Sequence, residues 1–166
     1  MLSTSELIEE RINPLDTLEL IVSQNEWPYE RLGNEEIVAG INGEWCDFHL
    51  RYLWIDDKNI LQCAGQMDVK VQPKKRSDIL ELITMLNERL DMGHFSIWSD
   101  DESIMFSHSM VPPTNSGDIA MSCEMVTRTI IAEINRYFPV FQFVIWGGKS
   151  PSDAIEAAML ETIGNA

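Results

Sequence analysis

Basic residues are scarce in this chain. Twelve Lys and Arg stand against 27 Asp and Glu, a formal net charge of -15. Such a surface repels phosphate backbones and anionic lipid headgroups, so neither nucleic-acid nor membrane-surface binding is expected. A basic protein partner, or plain solubility, fits the charge. Cysteine is scarce too. Cys46, Cys63 and Cys123 are odd in number, far apart and without Cys-x-x-Cys spacing. That argues against a disulfide framework and a structural zinc site, and reads as buried free thiols in a reducing compartment. The first residues lack a basic stretch followed by an apolar run, so no secretory signal is expected. No apolar run is long enough to span a membrane. The longest candidate, Phe138 to Trp146, is broken by Gln142 and ends at Gly147-Gly148. The expected location is the cytoplasm.

Catalytic motifs are missing as well. His49, His94 and His108 are the only histidines, and none pairs with another His or Cys at a ligand spacing. Gly147-Gly148-Lys149-Ser150 has the end of a phosphate-binding loop, but Phe143 stands where that motif needs Gly. Two glycines and a capping Ser are ordinary helix-connector chemistry. The acid pairs Asp56-Asp57 and Asp100-Asp101 fall in expected turns, where Asp serves the backbone. No Ser sits in a Gly-x-Ser-x-Gly setting, and Cys63 has no base nearby in sequence. No catalytic, metal or cofactor-binding residue is assigned, no cofactor is expected, and the chain is not expected to be an enzyme.

What is present is a core. Hydrophobic residues make up 45% of the 166 positions, enough for one folded domain. Residues 1–13 carry Glu6, Glu9 and Glu10 and read as a loose acidic arm; 14–166 reads as a single domain. Pro14 behind Asn13 suits a helix start, and Leu15, Leu18, Ile21 and Val22 recur at helical spacing over 14–25. From Pro28 the period becomes two. Asn42-Gly43 is a two-residue hairpin signal. Cys46, Phe48, Leu50, Tyr52 and Trp54 then alternate with Trp45, Asp47, His49, Arg51 and Leu53. That is a strand with one buried and one wet face. Leu61, Cys63, Gly65, Met67 and Val69 line a further strand.

An apolar stripe through Ile79, Leu82, Ile83, Leu86 and Leu90 predicts a helix over 74–91, with Gly93 as its cap. Strands around Phe95–Ile97 and 104–110 follow. A long stripe from Ile119 to Tyr137 predicts another helix, which Pro139 should kink or end near Phe138. Ser150-Pro151-Ser152-Asp153 starts a last helix. The expected architecture is a two-layer α+β domain, with an antiparallel sheet of about five strands packed on helices.

The chain also resembles the YbjN-domain family of bacterial sensory transduction regulators. The likeness rests on Asn13-Pro14-Leu15-Asp16, Asn25-Glu26-Trp27-Pro28, Gly43-Glu44-Trp45-Cys46-Asp47 and Leu86-Asn87-Glu88-Arg89-Leu90 running into Gly93-His94-Phe95. Tyr137-Phe138-Pro139 and Trp146 to Pro151 with Ala154 complete it, over residues 13–163. The resemblance implies a fold similar to type III secretion chaperones: a helix, three antiparallel strands, a helix, two strands and a closing helix. It implies an acidic, non-enzymatic protein that holds or regulates another protein, commonly as a homodimer, and supplies no catalytic residue. The helix at 151–163 extends beyond that pattern.

Two functional readings follow. The first is a protein-binding module, chaperone-like or regulatory, whose partner is a client or a second copy. Trp45, Leu53, Ile60, Trp98 and Met105 all fall on the sheet face away from the expected helices, and Trp45, Leu53 and Trp98 are the candidate partner-binding residues. The alternative for these residues is shielding by the N-terminal arm or the last helix. The second reading is a small-molecule sensor or enzyme with a pocket between sheet and long helix, using the inward Tyr52, Cys63 and His108. Because His and Cys do not cluster in the sequence, the thermal midpoint should be unmoved by zinc or EDTA. A shift of several degrees with EDTA in a melting experiment would reveal a structural metal.

Overall fold

The computed structural model describes residues 12–164, so the expected acidic arm lies outside the described residues apart from Ile12 and Asn13. Helix α1 spans Pro14–Gln24. Asn13 takes an extended conformation, and its Oδ1 accepts the Leu15 N–H at 2.9 Å. One otherwise orphaned donor of the first turn is thereby satisfied. Proline at the first position loses no helical bond, because its N–H would have no partner there.

Six strands follow, one more than the expected five: β1 (Tyr29–Leu32), β2 (Glu36–Asn42), β3 (Asp47–Ile55), β4 (Ile60–Lys70), β5 (His94–Trp98) and β6 (Ser103–Met110). They form one antiparallel sheet in the order β1-β2-β3-β4-β6-β5. The added strand β1 is an edge strand of four residues with no buried position, so it lacks the alternation that marks the others. The β2–β3 connection corrects the Asn42-Gly43 expectation. Asn42 pairs with Asp47, so residues 43–46 form a four-residue loop, and neither Asn42 nor Gly43 takes a positive φ. Trp45 and Cys46 therefore leave the strand they were expected to open.

Between β4 and β5 a 3-10 turn, Pro73–Lys75, leads into α2 (Arg76–Asn87). Ile79, Leu82, Ile83 and Leu86 are its buried stripe, as the periodicity implied. Its end differs from expectation. The helix stops at Asn87, whose side chain accepts the Phe95 N–H at 2.8 Å and donates to the Phe95 carbonyl at 3.1 Å. Gly93 lies beyond, at φ +74°, where a Cβ would stand 2.5 Å from Phe106 Cζ. It is a close-approach glycine at the start of β5, not the helix cap.

Helix α3 runs unbroken over Ser116–Ile145. Pro139 does not end it, and Phe141 and Val144 continue its buried stripe. A proline inside a helix forfeits one bond, to the carbonyl four residues earlier. Here Phe138, Val140, Phe141 and Val144 all remain buried around it, which outweighs that loss. Helix α4 (Pro151–Gly164) starts with Ser150 Oγ accepting the Asp153 N–H at 3.2 Å.

The sheet buries Ile37, Phe48, Leu50, Tyr52, Leu61, Cys63, Met67, Phe95 and Phe106 against α1, α2 and α3, with α4 packed on α2 and α3. At the centre stands Gly65 of β4. A Cβ there would lie 2.3 Å from Ile134 Cδ1 and 2.7 Å from Ile130 Cγ2. Helix α3 thus rests on bare backbone. Gly65→Val should destabilise by about 1–3 kcal/mol or more through overpacking, measured by urea denaturation. Adding Ile134→Ala should recover part of that loss. A Gly65→Val protein as stable as the parent would mean that α3 does not touch β4 there.

Candidate interaction face

Register maps the sheet face that points away from the helices. Across it run Leu32, Glu36, Leu53, Gln62 and Ser109; then Glu30, Val38, Arg51, Ala64, Ser107 and His94; then Gly40, His49, Gln66, Met105 and Ser96. Trp98 opposite Ser103 closes the far end. No helix among the described residues packs on this face. Arg51 is paired with Glu36 near its centre.

Leu53 and Trp98 share this face but stand at opposite corners. Leu53 aligns with Ser109 and Trp98 with Ser103, a separation of about 20 Å along the strands at ~3.3 Å per residue. Three strand spacings, about 14 Å, divide them laterally. Trp45 sits off the face in the 43–46 loop, 53% exposed, at the same end as Trp98. That loop is tied to α3, since the Glu44 N–H donates to Asn135 Oδ1 at 3.0 Å. The three expected contact residues therefore do not form one patch.

Met105 departs from expectation more sharply. It points to the helix-free face yet is only 7% exposed. Its register neighbours are Gln66 and Ser96, and Gln66 is anchored by Asp101 Oδ2 at 2.8 Å and Ser103 Oγ at 2.9 Å. The hairpin turn thus folds its carboxylate back over the sheet. Hydrogen bonds from the Ser103 side chain and backbone hold Asp101 below its ordinary pKa.

The Leu53 corner is apolar and concave. Half-buried Leu53, Ile55 and Ile60 lie there with Leu32, 48% exposed. A groove of about 1070 Å3 opens beside them, bounded by the start of α1, the β1–β2 turn and the end of β3. Its walls are fixed by polar contacts. Asn13 Nδ2 donates to the Asn34 carbonyl at 3.1 Å, and the Trp54 N–H donates to the Glu35 carbonyl at 2.7 Å. Behind the turn, Arg31 pairs with Asp16 at 2.8 Å and with Glu19. Hydrogen bonds from Arg31 and Tyr29 hold Glu19 below its ordinary pKa. Sequence reasoning missed this groove. Its walls come from three segments, and only Leu53 carried a signal.

The inward trio of the alternative reading does come together. Tyr52 pairs with Cys63, and Cys63 with His108, in one row across the sheet. The row is roofed by α3, where Tyr52 Oη and Thr127 Oγ1 share a buried hydrogen bond of 2.7 Å. Burial drives the Tyr52 hydroxyl and the Cys63 thiol well above their ordinary pKa values, and pushes Cys123 up to about 11. Burial and the charge of His94 lower that of His108. Neither thiol is poised as a thiolate nucleophile.

Gly147-Gly148-Lys149-Ser150 joins α3 to α4, so a strand-loop-helix phosphate cradle is not formed. Gly148 is left-handed at φ +66°, the Lys149 N–H donates to the Phe143 carbonyl at 3.0 Å, and the Lys149 amine lies 5.8 Å from the Phe143 ring centre.

Taken together, fold and face define a two-layer α+β domain with an open sheet surface. The chain belongs to the YbjN family, whose model, described as "Putative bacterial sensory transduction regulator", matches residues 14–143. The crystal structure of YbjN from E. coli, described as "a putative transcription regulator", is similar with a TM-score of 0.48 at 13% identity. That match covers 74% of this chain and 92% of that one. No curated protein matches the chain in sequence. No helix of the described residues is long and apolar enough to cross a membrane.

One carboxylate on the helical side is poorly solvated. Glu133 of α3 has a buried oxygen, Oε2, without a hydrogen-bond partner. Desolvation raises its pKa, Arg136 opposes this, and Asp91 adds to it. A raised acid favours its protonated form in the folded state. Its stabilising contribution is present below the unfolded value and is lost as pH rises through the folded one. Glu133→Gln should therefore raise the thermal midpoint at pH 7, with the gain shrinking towards about pH 4. Equal gains at both pH values in a calorimeter would show that charge burial is not the cause.

Proposed function

We propose that the chain is a non-enzymatic, protein-binding regulatory module that uses its helix-free sheet face as the contact surface. The observation that carries this is the apolar Leu53 corner, half-exposed on a sheet face with no helix over it among the described residues. Membership in a family described as sensory transduction regulators supports a regulatory rather than metabolic role. Trp98 on the far edge strand is a second exposed contact residue at the other end, and Trp45, on the β2–β3 loop at that end, is a third, separate one. The partner is a client or a second copy of the chain, held in a chaperone-like manner, and the setting is the cytoplasm. Direct contact with nucleic acid is opposed by the net charge of -15. The direct packing of α3 on Gly65 leaves little support for a ligand pocket beneath that helix.

Leu53→Ser and Trp98→Ala should each leave the circular dichroism spectrum unchanged. Each should weaken self-association in sedimentation, or partner capture in a pull-down. Loss of a buried interfacial Trp commonly costs about 2 kcal/mol, or roughly 30-fold in affinity. Variants that unfold would make the face internal, and variants that retain full association would remove it as the contact surface.

A further inference from the structure

The groove beside Leu53 has a one-sided chemistry. Its apolar surface is offered by Ile12, 45% exposed, and by half-buried Leu53 and Ile55. Its rim carries the exposed carboxylates of Glu35 and Asp57. Among the described residues that line it there is no Lys, Arg or His. The nearby Arg31 is already engaged by Asp16 and Glu19, so it does not neutralise Glu35 or Asp57. Exposed apolar surface between carboxylates that no described cation pairs with favours a ligand with the reverse arrangement.

We infer that this groove takes an extended segment of a partner protein in which Lys or Arg alternates with apolar side chains. Alternate side chains of an extended segment point to opposite sides. One set then covers Leu53 and Ile55 while the other meets Glu35 and Asp57. The other occupants fit less well. Residues 1–11 carry three Glu against one Arg, and a second copy brings a net charge of -15, so both are repelled by the rim. This inference rests on the protein-binding reading above and names the chemistry of the partner at the same corner.

The test is fluorescence anisotropy with the full chain and a labelled twelve-residue peptide of alternating Lys and Val at physiological salt. Glu35→Gln with Asp57→Asn should weaken binding at least tenfold, and Leu53→Ser at least fivefold. Glu81→Gln with Glu88→Gln removes the same charge from exposed positions on α2 and just past its end, against the far edge of the sheet, and should change binding less than twofold. A peptide with Ser in place of Val should bind at least fivefold more weakly. Equal losses from the two charge pairs would overturn the inference, because attraction to net charge would then suffice. No binding of the Lys–Val peptide, with partner capture still dependent on Leu53, would overturn this chemistry and leave the protein-binding reading standing. Groove-dependent peptide binding without any effect of Trp98→Ala on partner capture supports the groove and narrows the contact surface to it.

Discussion

The contact of α3 with the backbone of β4 at Gly65 is the constraint from which the rest of the domain follows. With Ile134 Cδ1 within 2.3 Å of where a Cβ would be, the helix cannot rise from the sheet without opening a void. That closeness brings Thr127 down onto Tyr52 and lets a polar pair be satisfied in the core. It also sets Tyr137 and Phe141 against Phe95, in edge-on ring contacts of 5.8 and 5.3 Å. Phe95 in turn is gripped through its backbone by Asn87 at the end of α2. One missing side chain therefore fixes the spacing that the helices and the β5 edge share.

Placing every helix on one side has a consequence for the other. A six-stranded sheet packed on a single layer leaves its second face to small, polar and paired side chains, which is what Ala64, Ser96, Ser107 and the Arg51–Glu36 pair provide. Apolar residues on such a face are unusual where they gather. Met105 is explained within the chain, by Gln66 and the Asp101 turn. Among the described residues nothing comparable covers Leu53, Ile55 and Ile60, and Leu53 and Ile55 line a groove with an acidic rim. This corner, open among the described residues, and the charge of the molecule are the basis of the partner chemistry proposed above.

Several local expectations failed for a shared reason. Pro139 lies inside a helix because the burial of Phe138, Val140, Phe141 and Val144 outweighs one lost bond. Asn42-Gly43 does not make a two-residue turn, because the register of Ile41 with Phe48 sets the loop at four residues. Gly93 sits where Phe106 leaves no space, not where α2 ends. In each case tertiary packing overrode a propensity of about 1 kcal/mol or a few times that.

The sequence by itself determined the class of fold, the buried faces of β3, β4 and α2, and the kinship with the YbjN family. These are legible because alternation and helical stripes are written in consecutive residues. Only the tertiary structure decided the arrangement of the candidate interaction face. Trp45, Leu53 and Trp98 share a parity or lie next to a strand, but strand order and register, set by contacts between distant segments, put them at separate corners. The groove was illegible for the same reason. Ile12, Glu35, Leu53 and Asp57 belong to three separate segments, and no periodicity links them until the chain has folded.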